Sequence, residues 1–558
     1  MLPDNDSTPA SSNQNALDPA LSQAALAPMP AWRAALLFAP IALLIFAVSW
    51  QPVGSFDFWA HAAVGRWIVE HRCVPTHTLF LWTAHNPWIA HSWLTEILIY
   101  ELIKGKSDEA ASSAMLIATA ITAMAAFAVL WCDWRSKGLL GPGALLVFGL
   151  AVIGSHVRFQ PRAEMLSALL YVLLLVTIDR IRAERTDSLL RATICKVALS
   201  IAALVILWVN LHGMFAFGLL ILLLGAIASF IDRRWTVPTQ LLACAAGIAI
   251  ACSLINPYGY HLWKVLLAIQ SQTFSQIIEW YPLIGAPWLD PMDLTYLGIL
   301  TLLSIAALIR NPRRSAVDII ILAALLFEVF RYRRYMYFVG LTCVWVLGNN
   351  LAPTLLLLRQ KLEDWPRSNS APGSAGAPRF VAAMFCALIL AAWIVTFWPS
   401  GNGRFVKLAA SEALPTADAD WILAHHVTDN VLNDYDNASY LEWRFEHGPL
   451  LAVDALNAYP DSVQAMCSGI NSMTPQGQID LAKVNCYIGK VPRSIDHSFP
   501  EIYYVLHNSP YWVEVFPAAR SGPIWLRLPP GVRRTKPNPI WKSNIPNAPG
   551  REDPNLVR

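Results

Sequence analysis

Residues 56–101 read FDFWAHAAVGRWIVEHRCVPTHTLFLWTAHNPWIAHSWLTEILIYE and follow directly on the first long apolar segment. The stretch carries Asp57, His61, His71, His77, His85, His91 and Glu96 among Trp59, Trp67, Trp82, Trp88 and Trp93. Indole rings are amphipathic and settle where lipid meets water. Titratable groups set among them therefore mark a loop on the membrane face, and most of any active site is expected here.

The 558 residues are 55% hydrophobic and only 14% charged, with mean hydropathy +0.43. A soluble domain carries about 25% charged residues, so lipid must solvate most of this chain. A net charge of +3 without a dense basic run gives no footprint for nucleic acid. The nine cysteines show no CxxC and no Cys/His set at zinc spacing, which argues against a structural metal site.

Residues 1–30 are polar, Ala/Pro-rich and free of Lys and Arg, as expected of a disordered cytoplasmic tail. A membrane span needs about 20 mainly apolar residues, and about eleven segments qualify. They lie near 33–50, 110–131, 139–156, 163–181, 195–210, 213–231, 238–255, 294–309, 316–330, 335–352 and 380–398. The reading is an α-helical polytopic protein: a transmembrane domain over 31–352 with an external loop at 51–109, a flexible linker at 353–379 and a last span at 380–398. With the N-terminus inside, the basic loops holding Arg135/Lys137, Arg180 to Lys196, Arg233/Arg234, Arg310 to Arg314 and Arg359 to Arg379 all fall in the cytoplasm, as the positive-inside rule requires. Residues 404–558 then lie outside and return to soluble composition, with alternating helical and strand-like stretches that suggest a small α/β domain. Cys467 and Cys486 both fall there, so a disulfide between them is open in an oxidising compartment.

Two external loops break the charge rule: Arg158 and Arg162 in one, Arg331, Arg333 and Arg334 in the other. They either snorkel to outer-leaflet phosphates or bind a lipid-linked phosphate, whose oxygens match a guanidinium fork. Two clusters on the side of the Asp57 loop favour the second. Asp57 and His61 stand four apart at the start of a predicted helix, on one face, with Gly65 next in line. The carboxylate either caps that helix, or binds a metal or takes a proton from an acceptor hydroxyl; its place at the membrane face favours function. His91 and Glu96 flank Trp93 on a predicted amphipathic helix along the membrane. Glu96 reads equally as a second functional carboxylate and as a polar-face residue. His71, His77 and His85 read as solvated loop residues. Asn210 and His212 interrupt two spans; they offer substrate hydrogen bonds or simply serve a tight interhelical turn. Glu279 adds a further external carboxylate.

Taken in order, the D-x-W-x-H-x-x-x-G start of the loop, the W-L-x-E helix, Asn210-Leu211-His212-Gly213, Asn256-Pro257-Tyr258-Gly259, Glu279-Trp280 and Val431-Leu432-Asn433-Asp434-Tyr435 resemble bacterial polytopic members of the GT-C glycosyltransferase superfamily. The resemblance runs from about residue 33 to about 460 and implies a GT-C-like bundle in the bacterial inner membrane. It further implies an inverting hexosyl or pentosyl transfer from a polyprenyl-phosphate sugar to an external glycan, lipid or protein. Asp57 matches the acidic residue that is catalytic or binds the metal, a divalent Mg²⁺ or Mn²⁺ where one is used. His61 and Glu96 would assist it, the five arginines would hold the donor phosphate, and His91, Asn210, His212 and Glu279 would line the substrate. Phe58 and Trp59 stand where many members carry a second acid, which leaves metal dependence open. Val453-Asp454-Ala455-Leu456-Asn457 replaces the usual G-R-x-D run, which leaves the role of the soluble domain open. A non-catalytic scaffold of the same fold is the alternative; a transporter ranks below it, because Glu164, Asp179 and Glu328 lie near span ends and no internal repeat is visible.

Overall fold

The computed structural model describes residues 28–51, 53, 57–184, 191–271, 280–284, 291–363, 376–398, 414–428, 430–456, 458–489, 501–515 and 524–534. Most of the expected N-terminal tail, the centre of the linker, Glu279 and the final residues 535–558 lie outside that set.

Each expected apolar segment contains a helix. They are α1 (Ala31–Ser49), then, after the first-loop helices α2 (Phe58–His71) and α3 (Trp93–Ile103), α4 (Asp108–Ser136), α5 (Pro142–Ser155), α6 (Met165–Arg182), α7 (Arg191–Leu211), α8 (Phe215–Arg233) and α9 (Val237–Cys252). A short α10 (His261–Ser271) precedes α11 (Pro291–Arg310), α12 (Ala316–Arg331), α13 (Met336–Glu363) and α14 (Gly376–Phe397). Five of these, α1, α4, α7, α8 and α11, are long and apolar enough to cross a membrane by length and composition. This is a multi-pass membrane architecture.

The bundle has two chemically distinct ends. At one, Lys137 meets Asp133 (2.6 Å) and Asn349 (2.6 Å), while Arg182 bridges Asp179 (2.9 Å) and Asp318 (2.8 Å). The ends of α4, α6 and α12 meet there, with Asn349 from the middle of α13. At the other end of α4, Asp108 accepts a hydrogen bond from the Tyr440 hydroxyl (2.6 Å), so the C-terminal region sits opposite that network. The 29 residues of α4 set the two ends about 40 Å apart.

The C-terminal region builds a four-stranded sheet in the order β1 (Val431–Leu432), β2 (Cys486–Ile488), β4 (Ile524–Arg527), β3 (Trp512–Val515). Only the β1–β2 pair is parallel. Helices Tyr435–Arg444, Asp461–Asn471, Pro475–Leu481 and Glu501–Asn508 pack around it. Leu451 makes single bridges to Val431 and to Leu81 of the first loop. Backbone bonds from Leu451 N–H to Phe80 (2.8 Å) and from Trp82 N–H to Leu451 (3.1 Å) extend the sheet into that loop, and the Trp82 indole donates to Val431 (3.0 Å). One apolar core joins the two regions: Phe58, Trp59 and Ile103 pack with Val431, Tyr440 and Ile488. Cys467 and Cys486 are buried and are not bridged to each other.

Candidate active site

Asp57 ends the turn before α2, and its side chain makes no capping bond. The carboxylate instead pairs with Arg162, Oδ2 lying 3.3 Å from Nη1, and it keeps about a third of its surface exposed. Arg162 comes from the loop before α6 and also donates from Nε to Gln160 (3.1 Å). The carboxylate thus faces a cation from outside its own helix.

His61, one turn on, pairs with Glu96 rather than Asp57, its Nδ1 3.1 Å from Oε1. Glu96 is 1% exposed. It is therefore no polar-face residue; α3 turns this carboxylate inward and leaves Leu98 and Leu102 outside. Burial pushes the Glu96 carboxyl up, and the bond to His61 opposes the shift. Its second oxygen has no hydrogen-bond partner among the described residues. What lets the helices come so close is Gly65, whose missing side chain is replaced by the Glu96 backbone itself.

Glu164 is the centre of the arginine cluster. It binds Arg158, and its other oxygen lies 3.3 Å from Arg334, whose guanidinium stacks over Trp280 at 4.8 Å. Arg331 points elsewhere. It is about half exposed, lies over Phe327 and Tyr332, donates to the Tyr332 hydroxyl (3.2 Å) and meets Glu328 at 3.8 Å, as a snorkelling residue can. Arg333 is held through its backbone N–H to Tyr281 (3.0 Å).

His91 and His212 meet edge to face at 5.6 Å. His212 Nδ1 accepts from the Met214 N–H (3.2 Å) and lies 3.3 Å from Ser167 Oγ, which the Trp208 indole also reaches (3.0 Å). Asn210 is occupied by the helix joint: it accepts from the Trp93 indole (2.9 Å) and donates to the carbonyls of Ile206 and Ile255. The turn reading holds for that residue. Tyr258 does similar work, its hydroxyl tying Ala90 and Pro75 of the first loop to the bundle.

Burial drives the His91 pKa down to about 4, with His61 and Arg334 adding positive charge, and holds His212 well below the imidazole range. In the unfolded chain each would protonate near 6.5. The unfolded state then binds more protons between about pH 6.5 and 4, so this stabilisation is complete above that window and is lost as pH falls through it. Because the His91 ring is only partly covered, its share at pH 5 is on the order of 1–2 kcal/mol. The detergent-solubilised protein should melt several degrees lower at pH 5 than at pH 7, and His91→Asn should shrink the difference. A pH-independent melting temperature would contradict the assignment.

Among the described residues, no three His, Cys, Asp or Glu side chains are grouped to hold a metal ion. Asp57, the candidate ligand, shares its carboxylate with Arg162, so the donor set present does not fit a divalent cation, and no step is routed through one.

No protein-family model and no curated protein matches the sequence. Solved structures do. Over 82% of this chain and 69% of theirs, the coordinates match the Archaeoglobus fulgidus oligosaccharyltransferase AglB (12% identity, TM-score 0.52), in a complex with an inhibitory peptide and a dolichol-phosphate. ArnT from Cupriavidus metallidurans, bound to undecaprenyl phosphate, matches over 91% and 100% (14% identity, TM-score 0.52). The chain has the GT-C fold. The mycobacterial arabinofuranosyltransferase AftD matches over 90% of this chain and 40% of its own (15% identity, TM-score 0.55).

In this GT-C frame the sequence-predicted residues divide. Asp57 pairs with Arg162 and His61 with Glu96, while Arg158 and Arg334 gather on Glu164, and His91 meets His212 near Arg334. Arg331 and Asn210 are spent elsewhere. Glu164 reads in the sequence as a span-end acid without a role, although its position two residues after Arg162 is the available signal. Glu442 and Asp454, buried beneath the α2 contact, have none.

Proposed function

We propose that this chain is an inner-membrane glycosyltransferase that takes a sugar from a polyprenyl phosphate and hands it to an acceptor hydroxyl outside the cytoplasm. One observation carries the reading. An apolar cleft of about 170 Å³ between α3, α4 and α6, walled by Leu98, Ile99, Leu102, Met115 and Leu166, is also lined by Arg162. An isoprenoid chain suits those walls, and a phosphate suits the cation beside them. Arg158, Arg162 and Arg334 gather around Asp57 and Glu164, and their guanidinium forks match phosphate oxygens. The phosphate ligands of AglB and ArnT support the same chemistry.

In the proposed reaction, donor phosphate competes with Asp57 for Arg162 and releases the carboxylate. Asp57 takes the proton of the acceptor hydroxyl as its oxygen attacks the anomeric carbon, the bond from that carbon to the phosphate oxygen breaks, and configuration inverts. The phosphate leaves into the field of the arginines, fixed in place before reaction by Glu164. The His61–Glu96 pair positions α2 against α3. The N-terminus and the Lys137 end face the cytoplasm; the first loop and residues 404–558 face outside.

Lipid analysis of the purified protein tests the donor. Wild type should retain a polyprenyl phosphate or its glycoside, and Arg162→Ala should retain at least tenfold less at unchanged melting temperature. Equal retention would remove Arg162 from the donor site. No lipid in either protein would favour a GT-C-shaped scaffold.

A further inference from the structure

A second cavity, about 310 Å³, lies between α2 and the segment that follows helix Tyr435–Arg444. Ala63, Arg66, Trp67 and Glu70 contribute from α2, on the face opposite His61 by helical period. Its size is at the lower end for small-molecule sites. Trp67, Phe80 and Phe445 supply aromatic walls, and Glu442 also lines it. Glu442 is 2% exposed; Oε1 accepts the Ala455 N–H at 2.8 Å, and Oε2 has no hydrogen-bond partner among the described residues. A buried carboxyl oxygen left this way costs stability unless something binds it. Burial, then Asp454 and Asp57, push the Glu442 carboxyl up, so it can donate as well as accept.

The chemistry of the walls selects the ligand. An acyl chain would leave Glu442 unsatisfied. A peptide adding a strand would need an open sheet edge, but Leu450 and Leu451 are already bonded to Val431 and Phe80. An anionic sugar would meet Glu70 and Glu446, and the Arg66 guanidinium is held by Glu446 (3.1 Å) and the Trp443 carbonyl (3.0 Å), with His71 and His447 the other basic groups in the described lining. A neutral pyranose or furanose fits: its C–H face packs on an aromatic ring and its hydroxyls bond a carboxyl. Ala63 and Glu70 lie about 9 and 20 Å from Asp57 along the helix axis, the reach of a few linked sugar rings.

We infer that this cavity is a subsite for a neutral glycan, and that the acceptor is an oligo- or polysaccharide whose inner rings rest here while its terminal hydroxyl reaches Asp57. The inference rests on the transferase reading and names its acceptor class. It is tested by saturation-transfer NMR on the full-length purified protein with maltotriose, laminaritriose, mannotriose and α-1,5-arabinotriose. At least one should give a signal, and its affinity should fall fivefold or more in Glu442→Gln, which can still accept the Ala455 N–H, and in Trp67→Ala. No signal from any trisaccharide with wild type, or equal affinity in all three proteins, overturns the subsite. Lipid retention, measured on the same samples, reports the donor reading separately: retained lipid without a trisaccharide signal sinks the subsite alone.

Discussion

Gly65→Ala should leave little folded protein. A Cβ built on Gly65 overlaps the Glu96 carbonyl oxygen and lies 2.5 Å from its carbon and 3.0 Å from Tyr100 Cβ. The obstacle is backbone, which cannot rotate away as a side chain can, so α2 and α3 must separate. Overpacking in a core costs about 1–3 kcal/mol, and a clash with a helix backbone belongs at or above the top of that range. The same separation would pull His61 from Glu96 and expose a carboxyl that is now buried. Gly143→Ala is the control, since a Cβ added there meets nothing within 4 Å. Fluorescence-detected size exclusion after a temperature series would compare them; a Gly65→Ala protein as heat-resistant as the control would refute the close contact.

Asp57→Asn should abolish transfer while leaving the fold alone. The side chain makes no capping bond and stays about one-third exposed, so the amide replaces it with little structural cost. A positioned general base contributes typically 10²–10⁴-fold, and the loss should fall in that range or beyond, in kcat. Donor lipid should still bind, because the arginines remain and Arg162 loses its competitor. The combination to look for is therefore dead turnover with undiminished or increased lipid content, measured with the purified variant in vesicles. Wild-type turnover would remove Asp57 from the chemistry.

Much of this arrangement is legible in the sequence because local composition carries it. Each expected span is a mainly apolar segment that contains a helix, and the Lys/Arg loops mark one end. Asp57 stands out by its place at the start of a loop helix, and Arg162 by breaking the positive-inside rule. The pairings are not legible. Asp57 and His61 share a helix face in sequence, yet one meets Arg162 and the other Glu96, because the partners come from the loop before α6 and from α3. Asn210 has the look of a ligand and is a joint residue, since an indole and two carbonyls reach it first. The contribution of the C-terminal region is hidden most completely: Ser439 accepts the Ala60 N–H at 3.0 Å across 379 residues of sequence, a separation no local pattern reports.

That separation orders events in time. A ribosome releases the first loop long before Leu451, Val431 and Ser439 exist, so α2 waits through the synthesis of every later span with its strand at residues 80–82 unpaired. Non-local pairings of this kind form last and slowly. The loop that holds Asp57 is thus completed only after the strands of the C-terminal sheet have been made. Nascent copies carry a first loop without its sheet partners, and a late folding step is also the one that completes the candidate site.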